Sequence, residues 1–410
     1  MHKFFICIIL ANSLTGGWAR AQRTGRAKPK PALVRLIDGD LRQAVNQYKI
    51  LMERLPPGRM PRSYSAATGT LVTSDAGWWT SGFYPATLFY LYGFSRDTSL
   101  LNEGERRLRL LNNQQYNRDT HDLGFMMYCP FGNLIKLIRH HRLHEPEAPD
   151  DLVLMNSARS LASRFNRKIG CIRSWDSKPW KYPVIIDNMM NLELLLWATG
   201  ESGDSSFYRI AVSHANTTMK NHYRPDYSSY HVVDYDTATG GVLVKKTAQG
   251  FSDSSAWARG QSWGLYGFTM MYRYTRDPAY LGQAGHIADY ILSRLPSDKV
   301  PYWDYDAPGG ARAPRDASAA AILASALIEL SRYVPAEKSE LYLGVAEQII
   351  VTLSSAGYHA TVGSNGGFLL MHSVGNLPGH SEVDVPLTYA DYYFVEAMLR
   401  YLNLAHPEDW

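Results

Sequence analysis

Six stretches of this chain share one pattern: a polar or aromatic opening, then small residues, then an apolar run with few charges. They begin at Trp79, Asp122, Asp187, Gly260, Asp316 and Ala390. Six amphipathic segments alternate with them, and the first covers residues 34–55. A helix that is apolar nearly all round belongs inside a fold, and its amphipathic partner belongs outside. The alternation predicts an all-α fold, an (α/α)6 barrel built as a double ring of six helical hairpins.

The six repeats predict a single catalytic domain over residues 34–410, because opening the ring would expose the inner helices. A composition with 45% hydrophobic and 20% charged residues is typical of a globular protein. Strand-like alternation is scarce, and residues 232–235 and 241–245 are its clearest examples. The net charge of +4 is small for 410 residues. It permits a polyanionic partner such as a nucleic acid but does not imply one.

The N-terminus has the features of a secretory signal. Lys3 supplies a positive start, residues 4–11 form a short apolar core, and Ala19 and Ala21 are small residues around a cleavage site. The apolar core is too short for a typical membrane span. We therefore predict a signal peptide at residues 1–21, a linker at 22–33, and export. Cys129 and Cys171 would remain in the mature chain, where buried thiols are favoured over a disulfide.

Three aspartates stand at the starts of predicted inner helices: Asp122, Asp187 and Asp316. In a ring of hairpins the inner helices begin at one face, so these side chains are expected to converge on one cavity that favours anionic ligands. The ordinary role of each, taken alone, is an N-cap. A carboxylate that opens a buried helix is poorly solvated, however, and can be tuned for acid/base chemistry.

A second cluster lies in residues 231–263, a long polar segment that leads into an apolar helix. It contains His231, Gln249, Arg259 and Trp263. Long loops in compact domains are usually functional. An arginine at a helix start can bind a carboxylate bidentately, and a tryptophan offers a flat face to a sugar ring. His231 alone would more often be a structural histidine. No zinc-type Cys/His spacing appears, and we predict no metal or cofactor.

Several motifs carry a family resemblance: WTSGFYPATLFYLY, HDLGF, IIDNMMNLELLLWA, SSYH, ARGQSWGLYGF, PRDASAAAI and YADYYFVEAMLR, in this order. Together they resemble the unsaturated glucuronyl hydrolases of glycoside hydrolase family 88, over residues 78–401. The resemblance implies an (α/α)6 barrel. It also implies hydrolysis of 4,5-unsaturated uronic acids from the non-reducing ends of oligosaccharides left by polysaccharide lyases.

The resemblance also implies roles for individual residues. The general acid/base falls on Asp187 and a second essential aspartate on Asp122. Sugar-packing and subsite-lining positions fall on Trp79, Trp263, His231, Gln249 and Arg259, with Arg259 as the carboxylate partner. Residues 366–386 match least well, and His372 and Ser373 are candidates there. No cofactor, nucleic acid, membrane or obligate protein partner is implied, and the neighbouring sugar and sulfate tolerance stay open.

Three alternatives remain. The nearest is an unsaturated rhamnogalacturonyl or ulvan-type hydrolase on the same ring, which binds a different neighbouring sugar. A non-catalytic sugar-binding protein would be expected to lack Asp122 or Asp187, and both are present. A polysaccharide lyase would be expected to use a Tyr/His or Asn/His pair in an open groove. The motifs favour the glucuronyl hydrolase.

Overall fold

Twelve α-helices follow one another in the residues that a computed structural model describes, 29–141 and 150–405. They are α1 (Pro31–Arg54), α2 (Phe83–Ser95), α3 (Thr98–Leu111), α4 (Cys129–His141), α5 (Asp150–Ala162), α6 (Asn188–Ser202), α7 (Ser205–Asn221), α8 (Ala258–Thr275), α9 (Pro278–Arg294), α10 (Ala317–Leu330), α11 (Ala336–Leu353) and α12 (Thr388–Ala405). The even-numbered helices are the apolar stretches of the sequence, and the odd-numbered ones are the amphipathic segments.

The even-numbered helices form a closed inner ring. Helix α2 packs on α4, α6 on α8, α8 on α10, α10 on α12, and α12 returns to α2. The π-helical turn Gly124–Tyr128, which leads into α4, packs on α6 and closes the remaining gap. Every residue of α10 is buried, because its alanines and serines allow neighbouring backbones to approach closely. Helix α1 packs on α12 and α2 and so completes the last hairpin of the ring. The predicted all-α (α/α)6 barrel is confirmed.

Three of the helical hairpins share the same two-residue turn. Helices α2, α6 and α8 end at residues in the left-handed conformation, namely Arg96, Gly203 and Arg276. An aspartate follows each of them and accepts a hydrogen bond from the backbone of the next helix: Asp97, Asp204 and Asp277. The left-handed residue stops the inner helix, and the aspartate caps the outer one. The sequence therefore sets the turns of the ring locally.

Within the described ranges, nine short strands lie in the connections: β1 (Met60–Ser65), β2 (Thr70–Ser74), β3 (Phe165–Asn166), β4 (Cys171–Ile172), β5 (Pro183–Ile185), β6 (Val232–Tyr235), β7 (Val242–Lys246), β8 (Ser373–Asn376) and β9 (Ser381–Val385). The predicted strands correspond to β6 and β7. The other seven were not predicted, because strands this short carry too little alternation to be recognised. All pairings are antiparallel, and β5, β6 and β7 form one sheet.

The N-terminal predictions meet the structure only in part. Helix α1 begins at Pro31, inside the segment predicted as a linker, because proline is favoured in the first turn of a helix. The predicted signal peptide, residues 1–21, lies outside the described residues. Within the described ranges no helix is long and apolar enough to cross a membrane. Cys129 and Cys171 are both free thiols, as favoured.

Candidate active site

The starts of the inner helices meet on one face of the ring, as predicted. The ring centroid of Trp79, before α2, lies 5.8 Å from that of Phe125, before α4, and 5.0 Å from that of Tyr389 in α12. Arg259, in the first turn of α8, is 3.3 Å from Asp316, which precedes α10. Residues from five hairpins therefore share one site, although they are far apart in the sequence.

The small sheet places Asp187 beside His231. Strand β5 pairs with β6 so that Ile185 lies opposite Val232, and the Ile186 N–H donates to the carbonyl oxygen of His231 at 3.1 Å. Asp187 directly follows this pairing and begins α6. Its side chain makes no capping hydrogen bond. The residue therefore occupies the N-cap position of α6, but its side chain does not perform the capping role that we considered for it.

Asp187 has the properties of a proton donor. It is 7% exposed, and burial raises its pKa to about 7, although Arg259 lowers the pKa and the like charge of Asp122 adds to the increase. Its Oδ1 has no hydrogen-bond partner within the described residues. A carboxyl group in this environment is protonated to a substantial extent near neutral pH and can give its proton to a ligand.

Asp122 sits in a different environment. Thr120 Oγ1 donates to its Oδ2 at 2.8 Å, and His121 Nε2 lies 3.3 Å from its Oδ1. Neighbouring polar side chains therefore contact both oxygens of the Asp122 carboxylate. The side chain of Asp187 does not cap its helix, and Asp122 lies one residue before the N-cap position that Leu123 occupies. Asp316, in contrast, caps α10, because it accepts a hydrogen bond from the Ser318 N–H at 3.0 Å.

His231 is held as a neutral imidazole with a defined tautomer. Its Nδ1 accepts hydrogen bonds from the backbone N–H groups of Ala248 and Gln249, at 3.0 and 3.1 Å. Burial lowers its pKa to about 3. An Nδ1 that accepts cannot carry the proton, so the proton resides on Nε2. That atom has no hydrogen-bond partner among the described residues and lies 4.0 Å from Asp187 Oδ1.

Arg259 is buried and already engaged. Its terminal nitrogens donate to the carbonyl oxygens of Val374 and Gly375, and one of them also contacts Asp316. Its guanidinium carbon lies 4.5 Å from the ring centre of Trp257. The terminal nitrogens are therefore not free to form the bidentate clamp that the sequence predicted. Arg259 holds the β8–β9 hairpin at the site and contributes its positive charge.

The two tryptophans differ in exposure. Trp79 is partly exposed and can present a face to a ligand. Trp263 is completely buried, packed on Phe125 at 5.1 Å and Tyr393 at 5.2 Å between ring centroids. In contrast to the prediction, Trp263 has no exposed face to pack on a sugar. Close packing of the inner helices puts it in the wall that supports the site.

The β8–β9 hairpin closes one side of the site. Gln249 Nε2 donates to the Gly375 carbonyl oxygen at 3.0 Å, so Gln249 and Arg259 hold the same residue. Of the two uncertain candidates, Ser373 is fully buried with its Oγ unpaired among the described residues. His372 is half-exposed, and its Nδ1 lies 2.6 Å from Asp384 Oδ1 of the same hairpin.

Several buried polar atoms without a hydrogen-bond partner lie at this site. Within the described residues they include Asp187 Oδ1, His231 Nε2, Arg259 Nε, Ser373 Oγ and Tyr389 Oη. Native proteins pair nearly all buried polar groups. Five unpaired groups around two carboxylates therefore indicate a site whose missing partners are supplied by a bound polar ligand or by water.

Comparison with known proteins identifies the family. Over 348 residues the chain is 45% identical to the unsaturated glucuronyl hydrolase of Formosa agariphila, a match that covers 84% of this chain and 85% of the relative. The chain belongs to the unsaturated glucuronyl hydrolases. It is therefore a glycoside hydrolase, and the resemblance carried by the sequence motifs is confirmed. No protein-family model matches the chain.

Solved structures of this family share the architecture. A crystal structure of an unsaturated glucuronyl hydrolase specific for heparin aligns with a TM-score of 0.85 and 46% identity, covering 90% of this chain and 98% of that one. A mutant of the Streptococcus agalactiae enzyme complexed with dGlcA-GalNAc6S aligns with a TM-score of 0.77 and 26% identity, over 97% of this chain and 98% of that one.

Sequence reasoning missed three residues of this glucuronyl hydrolase site. Thr120 and His121 contact Asp122. Thr120 directly precedes the recognised HDLGF motif and His121 is its first residue, so their position was a usable signal. Tyr389 packs on Trp79 and lies 5.2 Å from the Arg259 guanidinium carbon. It begins α12 in the YADYYF motif, but nothing in that motif sets it apart from the neighbouring tyrosines.

A cavity of about 400 Å³ is lined by residues of α2, α4, α6, α8 and α12 and shares Phe125 with this site, but neither Asp122 nor Asp187 lines it. Its charged groups bind one another: Arg273 donates to Glu193 at 2.6 Å, Arg400 to Tyr266 at 2.6 Å, and Tyr266 to Glu396 at 3.1 Å. This network crosslinks α6, α8 and α12 and stabilises the ring.

In the described parts of the chain, no group of three His, Cys, Asp or Glu side chains could hold a metal ion.

Proposed function

We propose that this chain hydrolyses 4,5-unsaturated uronic acids from the non-reducing ends of lyase-generated oligosaccharides, and that it does so by hydrating the C4=C5 double bond. The family membership supports the reaction class. The observation that carries the mechanism is the pair of carboxyls: Asp187 is buried with a pKa of about 7, and Asp122, whose charge contributes to that increase, accepts a hydrogen bond from Thr120 Oγ1. Asp187 is thereby set to donate a proton.

The first step is proton transfer to carbon. In the substrate, C4=C5 is conjugated to the ring oxygen as an enol ether, so protonation of C4 by Asp187 leaves an oxocarbenium-like centre at C5. Asp187 becomes a carboxylate in this step. The Nε2–H of His231, 4.0 Å from Asp187 Oδ1, then faces a negative charge and stabilises it. The rise in the pKa of Asp187 makes the proton available near neutral pH.

The second step returns the proton. The Asp187 carboxylate takes a proton from a water molecule as that water attacks C5, and the product is a hemiketal. The hemiketal opens and releases the neighbouring sugar, so the glycosidic bond need not be attacked directly. The distance rule for paired glycosidase carboxylates does not apply, since it assumes attack at C1. Asp122 raises the pKa of Asp187 and is placed to bind a sugar hydroxyl.

The rim residues fit an anionic sugar. Arg259 contributes positive charge behind Asp187, Trp79 is partly exposed for ring packing, and Gln249 lines the opposite side with the β8–β9 hairpin. The structurally similar enzymes are described as specific for heparin or carry dGlcA-GalNAc6S. These support a glycosaminoglycan-type substrate over the rhamnogalacturonyl or ulvan-type alternative.

The experiment is a panel of unsaturated disaccharides from chondroitin, hyaluronan, heparin and ulvan, followed by ultraviolet absorbance. A hydrolase of this kind destroys the conjugated double bond, so absorbance falls, whereas a lyase would raise it. Asp187→Asn should lose about a hundredfold to ten-thousandfold in rate. Near-normal turnover by Asp187→Asn would refute the assignment of the proton donor.

We also propose that the protein is exported. The support is the charged start, apolar core and small residues of segment 1–21. Expression in the source organism followed by N-terminal sequencing of the mature protein tests this. A start near residue 22 is expected, and an intact Met1 on the protein outside the cytoplasm would refute the cleavage.

A further inference from the structure

We propose that His121 is a positioning residue for the reaction, which holds the Asp122 carboxylate by donating the Nε2–H of a neutral imidazole to Asp122 Oδ1. This inference rests on the proposed function, in which Asp122 acts beside the proton donor. His121 is 3% exposed and belongs to the connection between α3 and α4. Its role would be to fix the plane of the Asp122 carboxylate.

The ring of His121 is neutral at the pH where the enzyme would work. Burial lowers its pKa, although the neighbouring Asp122 charge opposes that change. A neutral imidazole has one N–H and one acceptor nitrogen, so the contacts of the two nitrogens decide where the proton resides. The distance from Nε2 to Asp122 Oδ1 is 3.3 Å.

The other nitrogen faces a hydroxyl group. Ser174 Oγ accepts the N–H of Ile185 at 3.0 Å and lies 3.5 Å from His121 Nδ1. The hydroxyl proton of Ser174 is therefore available for Nδ1, which leaves the imidazole proton on Nε2. Ile185 is in β5, the strand that leads to Asp187, so one chain of hydrogen bonds connects the supports of both aspartates.

One other acceptor competes for the imidazole proton. The side chain of Asn188 is a polar neighbour of the His121 ring, and it uses its Nδ2 to donate to the Ile172 carbonyl oxygen at 2.9 Å. Its Oδ1 is thereby left as an acceptor. A charged carboxylate accepts a more strongly held hydrogen bond than a neutral amide does. The proton is therefore directed to Asp122.

The arrangement repeats what the structure shows at the other aspartate. His231 is likewise neutral, its Nδ1 is occupied by donors, and its Nε2 faces Asp187. At Asp122 the corresponding Nε2, that of His121, lies 3.3 Å from Oδ1, and Thr120 donates to Oδ2. With the proposed hydrogen bond, Asp122 is held at both oxygens before substrate arrives, and such preorganisation favours the chemical step.

Two variants at one position separate positioning from burial. His121→Gln keeps an N–H donor near the location of Nε2, while His121→Leu fills similar space without a donor. We expect His121→Leu to lower kcat about ten- to hundredfold with KM changed less than about threefold, and His121→Gln to restore most of that loss. Equal losses in the two variants, with unfolding temperatures like that of the unsubstituted protein, would overturn the proposal.

A spectroscopic measurement does not depend on turnover or on the variants' folding. Long-range ¹H–¹⁵N spectra of histidine-labelled unsubstituted protein report the tautomer, and the His121 signals are those lost in His121→Gln, or in His121→Leu if only that variant folds. The proton is expected on Nε2 across neutral pH, and an Nδ1–H tautomer would overturn the proposal. If the unsubstituted protein left every unsaturated disaccharide intact, the proposed function would fail instead, and the tautomer would still decide the hydrogen bond.

Discussion

Replacing Asp187, the proposed proton donor, should stabilise this protein above neutral pH while it lowers turnover. In Asp187→Asn the amide resembles the protonated carboxyl in shape and charge. The unsubstituted protein must bury a negative charge at this position when the pH exceeds the pKa of Asp187. The variant carries no charge at this position at any pH. Its free energy of unfolding should therefore be higher than that of the unsubstituted protein above the pKa of Asp187.

The magnitude follows from the pKa. The carboxyl of Asp187 goes from an ordinary pKa of 3.8 to about 7 in the folded protein. Between these values the folded state binds one proton more than the unfolded chain, so the free energy of unfolding falls as the pH rises through this window. At about 1.36 kcal/mol per unit of pKa, the full loss is about 4 kcal/mol. This is a large part of the typical stability of a folded domain.

The assay is urea unfolding of both proteins across pH. Asp187→Asn should exceed the unsubstituted protein in unfolding free energy by about 4 kcal/mol at about pH 8, and the difference should shrink to below about 1 kcal/mol near pH 4. A difference that does not change with pH would refute the reasoning. So would an Asn variant that is the less stable protein at about pH 8.

Asp391 provides a matched control. Burial also raises its pKa to about 7, but its carboxylate accepts hydrogen bonds from the backbone N–H groups of Leu369 and Leu370, each at 2.9 Å. An amide at this position cannot accept both bonds, so Asp391→Asn should destabilise the protein by about 1 to 3 kcal/mol. Although the pKa values of Asp187 and Asp391 are raised alike, Asp187→Asn should stabilise the protein and Asp391→Asn should destabilise it. The difference comes from the two backbone hydrogen bonds that the Asp391 carboxylate accepts.

Three further predictions concern the site and the core. The charge of Arg259 lowers the pKa of Asp187, so Arg259→Leu should move the alkaline limb of the kcat/KM profile to higher pH. The charge of Asp122 raises that pKa, so Asp122→Asn should move the limb to lower pH. Shifts in the same direction would refute this electrostatic account. Gly82→Ala should cost about 1 to 3 kcal/mol in urea unfolding, since its Cβ would lie 2.2 Å from a carbonyl oxygen beside α4, and unchanged stability would contradict that packing. Burial raises the pKa of the Cys171 thiol, so iodoacetamide should label it only after unfolding, as mass spectrometry would show; rapid labelling of the native protein would contradict this.

The architecture could be predicted from the sequence because its main elements are helices whose apolar residues recur with the helical period. Apolar runs such as residues 317–330 and amphipathic runs such as residues 34–55 differ in composition over a dozen or more residues, which is long enough for the pattern to be unambiguous. The hairpins β1–β2 and β8–β9 were missed for the opposite reason. They contain four to six residues a strand, and their pairing depends on contacts with the ring.

The individual roles at the site were harder to predict. Arg259 and Trp263 were assigned to ligand contact because their residue types suit a sugar acid, but packing decides whether such groups are free. Carbonyl oxygens of Val374 and Gly375 occupy the terminal nitrogens of Arg259, and Trp263 is enclosed by neighbouring inner helices. Neither fact has a local signature in the sequence.

What the sequence determined by itself is the ring and the location of two aspartates at its mouth, because helix period, turn chemistry and motif order are local properties of the chain. What only the tertiary structure decided is how the aspartates differ. Asp187 is desolvated and near His231 Nε2, while Asp122 is held by Thr120 and His121. A pKa depends on the charges, donors and solvent that surround a group, and for Asp187 those come from segments that only folding brings together.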